Sequence, residues 1–374
     1  MSVADVVIVG GGIAAASLGY RLAGKRRVVI LEAEDQPGYH ATGRSAALYT
    51  TTYGNPIIRS LTIESGGFLL SPPEGFSETA ILSPRPVLWI GRADQAASLG
   101  RALAEAQASD DRARACSVDE ALALCAALDP DYVAGAILEP GGYDIDVHAL
   151  HQGYLRGFRH AGGEVVNAAR ASSIVRDGGG WLVKAGGQAF SCEVVVNAAG
   201  AWADEVAALA GLAPVGLTPK RRTALTFDPP PTDGLASWPC VIDADEAFYF
   251  KPAAGRILAS PADETPSAPC DAQPEDLDVA VTVDRIETAT TLKVARITSK
   301  WAGLRTFAPD KTPVVGMDPD APGFFWLAGQ GGYGIMTSPA LGATAAALIL
   351  EGGLGPSISG PGVSAASLSP ARFR

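Results

Sequence analysis

An α/β fold is predicted, in which a nucleotide-binding unit of Rossmann-like topology opens the chain and a discontinuous α+β domain on a mainly antiparallel sheet is threaded through it. Three observations carry this. An apolar strand, a glycine turn, a small-residue helix and a second strand ending in an acid follow one another from Val6 to Glu32. Further apolar strands suited to the same sheet come only at residues 194–196 and 323–327. Between them lie blocks of short alternating strands, the pattern of an antiparallel sheet with one covered face.

Val6–Val9 is a continuous apolar run, as in a parallel strand buried on both faces. Gly10, Gly12 and Ala15 follow as G-x-G-x-x-A: Gly10 permits the tight turn, Gly12 lets the backbone approach a pyrophosphate, and Ala15 allows close helix packing. Helix Ile13–Leu22, with Ile13 and Ala14 in its first turn, aims N–H groups at that anion. Strand Val28–Leu31 ends in Glu32-Ala33, about 20 residues after the glycines, where an acid accepts from ribose hydroxyls. On this unit alone, FAD and NAD are both open.

The chain has 374 residues, and about 150 per domain suggests two or three domains. Net charge is −11 and no basic run is longer than Lys220-Arg221-Arg222 or Lys25-Arg26-Arg27, which argues against nucleic acid or an anionic membrane as partner. Cys116, Cys125, Cys192, Cys240 and Cys270 lack C-x-x-C spacing and read as reduced thiols. No secretory leader and no apolar run of about 18 residues is visible. A cytoplasmic protein with no transmembrane segment is expected.

Residues 53–142 read as a mixed region with strands at 80–82 and 87–90 and helices near 94–108 and 118–127, the last opened by the capping box Ser117 to Glu120. Asp146 caps a helix that stops at Gly162-Gly163, and strands at 164–166, 181–184 and 194–196 follow. Residues 221–227 form a strand; 247–251 and 256–260 form a hairpin with Tyr249 and Lys251 on one face, Phe248 and Phe250 on the other. A helix around Val279, Val283 and Ile286 covers this sheet, and one at 338–350 closes the fold. The Gly-, Pro- and Ser-rich stretch from Gly352 is expected to be a surface tail.

Four stretches make the sequence resemble the FAD-dependent D-amino acid oxidase superfamily, which includes glycine oxidase, sarcosine oxidase and bacterial FAD-dependent D-arginine dehydrogenase, a member it resembles in detail. They are residues 10–32, the run GYHATGRSAA at 38–47, VVVNAAGAW at 194–202, and WAGLR at 301–305 with GQGGYGI at 329–335. The resemblance covers nearly the whole chain and implies one non-covalent FAD, with no cysteine near residues 305–316 to tether it. It implies an FAD-binding domain of residues 1–47, 143–215 and 303–374, with 353–374 the tail, and a substrate domain of 48–142 and 216–302. Beyond the first unit, the implied flavin contacts are Ala41, Thr42, Gly43, Arg44, Ser45, Ala46, Ala47, Leu48, Ala171, Ala199, Gly200, Trp202, Gly303, Gly331, Gly332, Tyr333, Gly334, Ile335 and Met336. The glycines before the last helix would let its N-terminus present N–H groups to a reduced, negatively charged flavin.

The resemblance also implies a substrate site. Arg222 and Arg305 match a pair that grips the substrate carboxylate, a task suited to a planar, always-charged guanidinium. Tyr249 matches their hydroxyl partner, Tyr53 and Thr50 match further site positions, and the Gly332 carbonyl would accept from the substrate amine. Where D-arginine dehydrogenase has an acid, a histidine and a glutamine, this chain has Val87, Leu48 and Met336. That wall predicts a poor fit for D-arginine and a neutral, hydrophobic D-amino acid or related secondary amine as substrate, because an unpaired buried cation costs several kcal/mol, on the order of the penalty for any buried unpaired charge. The implied reaction is oxidative deamination to a 2-oxo acid and ammonia, with hydride passing from Cα to flavin N5 and oxygen, a quinone or another acceptor reoxidising the flavin. No histidine is placed as a base: His148 and His151 read as a surface pair and not a metal site, His160 ends their helix, and His40 belongs to the flavin motif. A flavin 2-hydroxy-acid dehydrogenase and a non-catalytic flavoprotein are the alternatives.

Overall fold

The computed structural model describes residues 2–355 and 360–374. Its central layer is a six-stranded sheet in the order Glu164–Val166, Val28–Leu31, Val6–Val9, Val194–Asn197, Phe324–Ala328, Val314–Met317, parallel except for the last strand. Side chains alternate across it. Val6, Ile8, Ile30, Val196 and Leu327 pack on helices Ile13–Leu22, Val147–His160 and Ser338–Glu351. Val7, Val9, Leu31, Val195 and Trp326 pack against a four-stranded sheet in the order Ser2–Val3, Gln188–Cys192, Gly180–Ala185, Ala171–Asp177. The strands Ala171–Asp177 and Gln188–Cys192 were not expected; one is mostly exposed and polar, and neither has the apolar run that marks a buried strand.

The second large sheet runs Gln330–Gly331, Ile297–Phe307, Thr218–Phe227, Arg256–Ser260, Tyr249–Ala253, Cys240–Asp243, Val87–Gly91, Gly135–Glu139, Arg114–Cys116. Every pairing along this path is antiparallel except that of Cys240–Asp243 with Val87–Gly91. Leu88, Ile90, Leu225, Val241, Phe250 and Ile257 bury one face against helices Val118–Leu124 and Asp276–Ala289. The opposite face is left for the site. The hairpin turn falls at Ala254-Gly255, both at positive φ, so the first strand runs two residues beyond its expected end.

Two expectations need correction. The mixed region contains a long helix, Pro56–Leu70, capped by Asn55, whose side chain accepts from the Ile58 N–H at 3.0 Å. Gly66-Gly67 looks like a helix breaker, yet a β-carbon at residue 66 would lie 2.5 Å from the Tyr49 hydroxyl, so glycine admits that side chain against the helix. The surface tail is folded among its described residues: Ala365–Leu368 is helical, Leu368 is fully buried, and Arg372 and Arg374 donate to Asp310 and Asp318 at 2.8 Å. Residues 356–359 of that stretch lie outside the described residues. Among the described residues no helix is long and apolar enough to cross a membrane.

Candidate active site

The first glycine turn has the geometry its residues suggest. Gly10 has φ +106°, and a β-carbon there would lie 2.5 Å from the Ala198 carbonyl oxygen. The Ile13 N–H donates to Thr42 Oγ1 at 3.0 Å, pinning the 38–47 loop to the start of the first helix. Glu32 is buried, with Oε2 accepting from the Gly11 N–H at 2.8 Å and Oε1 from the Glu34 N–H at 2.9 Å; burial nonetheless holds its carboxyl above the usual range. His151 is a correction: it is buried, not a surface residue, and its Nε2 lies 2.9 Å from the Gly11 carbonyl, bracing the turn from behind.

From this turn a cavity of about 410 Å³ runs to the final glycine loop. Of the candidate flavin residues, Gly10, Gly12, Ile13, Ala14, Glu32, Ala33, Ala41, Thr42, Arg44, Ser45, Ala46, Ala171, Ala199, Gly200, Trp202, Gly303, Gly331, Gly332, Gly334 and Ile335 line it. Ala47, Leu48 and Met336 line an adjoining cavity instead. Ala15, Gly43 and Tyr333 line neither. Ala15 is spent on helix packing, Gly43 closes a turn through its N–H to the Gly38 carbonyl at 2.7 Å, and Tyr333 stands edge-on to Tyr53 at 5.0 Å. The large cavity suits a long ligand with an anionic middle and a polar-edged ring. Thr306 Oγ1 and Gln330 Nε2 line it, are buried, and have no hydrogen-bond partner among the described residues.

The adjoining cavity, about 100 Å³, gathers Leu48, Thr50, Tyr53, Val87, Arg222, Tyr249, Arg305, Gly332 and Met336. Sheet register explains the assembly. Arg222 stands opposite Gly303 and Lys220 opposite Arg305, so the two arginines project from neighbouring strands on one face, two rungs apart. Both also line the large cavity, as do Tyr249 and Gly332. Arg222 donates to the Asp263 carbonyl at 2.8 Å and to Glu264 Oε1 at 3.3 Å, whereas the Arg305 guanidinium has no hydrogen-bond or ion-pair partner among the described residues. Burial, and then the like charge of Arg305, pulls Arg222 below the usual arginine range. Burial also opposes the charge on Arg305, but Tyr249, Tyr53 and Tyr333 around it outweigh that and hold it above the usual range. Burial likewise raises the Tyr53 phenol. Two crowded guanidiniums, one of them unpaired, make an anion site.

The wall expected to be free of acid is not. Glu139 lies directly across the ladder from Val87, on the same face, and lines the same cavity with Trp89, Cys240, Ile242 and Glu246. Its Oε2 accepts from Thr52 Oγ1 at 2.6 Å and Thr50 Oγ1 at 3.1 Å, and its Oε1 from Trp89 Nε1 at 2.7 Å. A lone glutamate ending the apolar run 136–138, just ahead of Pro140, was the available signal. Only strand pairing brings it beside position 87.

The fold and this pair of cavities define an FAD-dependent oxidoreductase. The sequence model described as "FAD dependent oxidoreductase" (DAO) matches residues 5–348, and the chain belongs to that family. It is 25% identical to glycine oxidase of Geobacillus kaustophilus over 92% of each protein. It is also 31% identical to FAD-dependent oxidoreductase domain-containing protein 1 of Xenopus laevis, a match spanning 44% of this chain and only 36% of that protein. Among solved structures, L-proline dehydrogenase from P. horikoshii superposes with a TM-score of 0.85 at 19% identity, covering 100% of this chain and 98% of that one. The Geobacillus glycine oxidase structure gives 0.84 at 23% identity, covering 100% and 99%.

Proposed function

We propose that this oxidoreductase oxidises the Cα–N bond of a neutral, largely hydrophobic D-amino acid to an imino acid, which water hydrolyses to a 2-oxo acid and ammonia; a related secondary amine would release the corresponding primary amine instead. The observation that carries this reading is the unpaired Arg305 guanidinium beside Arg222, where the two cavities meet. A substrate carboxylate held there by both arginines and by the Tyr249 and Tyr53 hydroxyls lies at the cofactor end of the smaller cavity. The Gly332 carbonyl accepts from the amine and fixes Cα. Leu48, Val87, Ile242 and Met336 exclude water from the side chain. FAD, when bound without a covalent link, supplies the two-electron acceptor for the Cα hydride, and oxygen or a quinone accepts the electrons afterwards. None of the described residues lining the smaller cavity is a histidine, and we assign loss of the amine proton to water or backbone-linked solvent.

Glycine oxidase and L-proline dehydrogenase are both named for α-amino acids, which join a carboxylate to an amine as this site requires. The preference for the D configuration rests on the resemblance of Arg222, Tyr249 and Arg305 to the D-arginine dehydrogenase site. Anaerobic mixing of the flavin-loaded protein with both enantiomers of leucine, methionine and phenylalanine, with sarcosine and with a 2-hydroxy acid tests the reading. Bleaching of the flavin band by D-amino acids supports it; bleaching by the hydroxy acid alone, or by none, overturns it.

A further inference from the structure

The smaller cavity is not apolar throughout. Glu139 is 3% exposed, has no cationic partner among the described residues, and is held by Thr50, Thr52 and Trp89. A carboxylate has about four acceptor positions. The two hydroxyls take those of Oε2 and the indole takes one of Oε1, which leaves one on Oε1. Thr50 and Trp89 also line the cavity, so the carboxylate is clamped in one orientation beside it. A glutamine could engage the same three groups only with its oxygen on the Trp89 N–H and its amide nitrogen donating to the two hydroxyls. What a carboxylate adds is a negative charge, and burying it without a cationic partner is costly.

We infer that Glu139 is a specificity-determining residue: it accepts a hydrogen bond from an N–H or O–H group at the far end of the substrate's side chain. The inference rests on the amino acid reading above and revises its side chain from hydrophobic throughout to an apolar stem with a polar tip, which the carboxylate of Glu139 allows to be cationic. The Arg222–Arg305 pair lines the same cavity, so one substrate can place its carboxylate on the arginines and its distal donor on Glu139. Leu48, Val87 and Ile242 give the same cavity an apolar wall beside its polar residues, and an aliphatic stem joining carboxylate to donor would lie against it. The preferred substrate is an unbranched D-amino acid with an apolar stem and a donor tip. A neutral hydroxyl or amide and a cationic amine share that chemistry.

Three D-amino acids of equal size and shape separate the possibilities: D-norleucine, 5-hydroxy-D-norvaline and D-ornithine, which end in methyl, hydroxyl and ammonium. We expect the flavin-loaded wild-type protein to favour at least one donor-tipped compound over D-norleucine by about 10- to 100-fold in kcat/KM, the range of a hydrogen bond to a charged group. E139L should abolish that preference, bringing the kcat/KM values of the three compounds together. E139Q, which keeps an acceptor and loses the charge, should retain a preference for the hydroxyl and lose one for the ammonium, so the pair of variants tells a neutral tip from a cationic one. Flavin content and thermal midpoint establish that each variant is folded, and E139Q stands in should E139L not be. A purely structural Glu139 would lower all three rates together and leave their ratios intact. Equal or better turnover of D-norleucine by wild type, or a donor preference that survives E139L, overturns the inference alone. If none of the three bleaches the flavin, and D-alanine and glycine do not either, the amino acid reading falls and takes the inference with it.

Discussion

Gly332 sits so close to Arg305 that a β-carbon on it would lie 3.0 Å from Arg305 Nη1 and 3.3 Å from Cζ. The backbone that is proposed to receive the substrate amine thus also sets the position of the guanidinium proposed to receive its carboxylate. Gly332→Ala should push Arg305 aside and lower kcat/KM for amino acid substrates by about tenfold or more, the cost of misplacing one charge-assisted hydrogen bond. Steady-state kinetics on protein of unchanged flavin content checks this; unaltered kinetics would mean that Arg305 can yield without loss.

Arg305→Ala should act mainly on substrate capture, costing roughly 2–5 kcal/mol if the carboxylate is buried against it. Arg305→Lys should recover only part, because an ammonium cannot fork onto a carboxylate. The readout is the concentration dependence of flavin bleaching in rapid mixing. A variant that saturates at wild-type substrate concentrations would refute the clamp.

Burial holds the Glu139 carboxyl above its ordinary value of 4.5, despite the donors Thr52, Trp89 and Thr50. The folded chain therefore binds this proton more tightly than the unfolded one, and the stability it contributes is full below about pH 4.5 and is lost as pH rises through the folded-state value. Glu139→Gln cannot titrate. Its stability relative to wild type should climb as pH rises above 4.5, measured as the difference in thermal midpoints. A difference that stays flat up to about pH 8 would show that the carboxyl titrates as it does in water.

Lys251 is buried, with Nζ 2.6 Å from Asp144 Oδ1 and 3.2 Å from the Ala47 carbonyl, so it ties the 38–47 loop to the second sheet. Lys251→Met leaves Asp144 with Arg85, 2.8 Å away, as its remaining cation. Stability should fall by roughly 2–4 kcal/mol, somewhat less than for a fully enclosed pair, and FAD should be held less tightly as the loop loosens. Thermal unfolding and flavin retention on dilution measure the two effects, and an unchanged flavin affinity would show that the loop holds without Lys251.

Much of the site was legible because it is local. The turn at Gly10, the helix behind it and the acid Glu32 follow from residue types within one stretch, residues 10–32, and a period-two pattern placed Tyr249 and Lys251 on one face before any sheet was known. His151 was misread because nothing in a helical i, i+3 pattern tells which face meets the glycine turn from 140 residues away. The tail was misread because Gly, Pro and Ser mark a loop equally well whether or not a leucine further along, here Leu368, is buried and anchors the segment.

Sequence by itself determined the nucleotide-binding unit, because that depends on residue types at fixed short spacings, whereas the flavin and the two arginines were expected only from the resemblance of four motifs spread along the chain. Tertiary structure alone decided what surrounds the substrate. Val87 and Glu139 are 52 residues apart and become neighbours only through the pairing of Val87–Gly91 with Gly135–Glu139. Which strands pair is settled by burial of the whole sheet face against two helices, a collective property that no short stretch of residues carries.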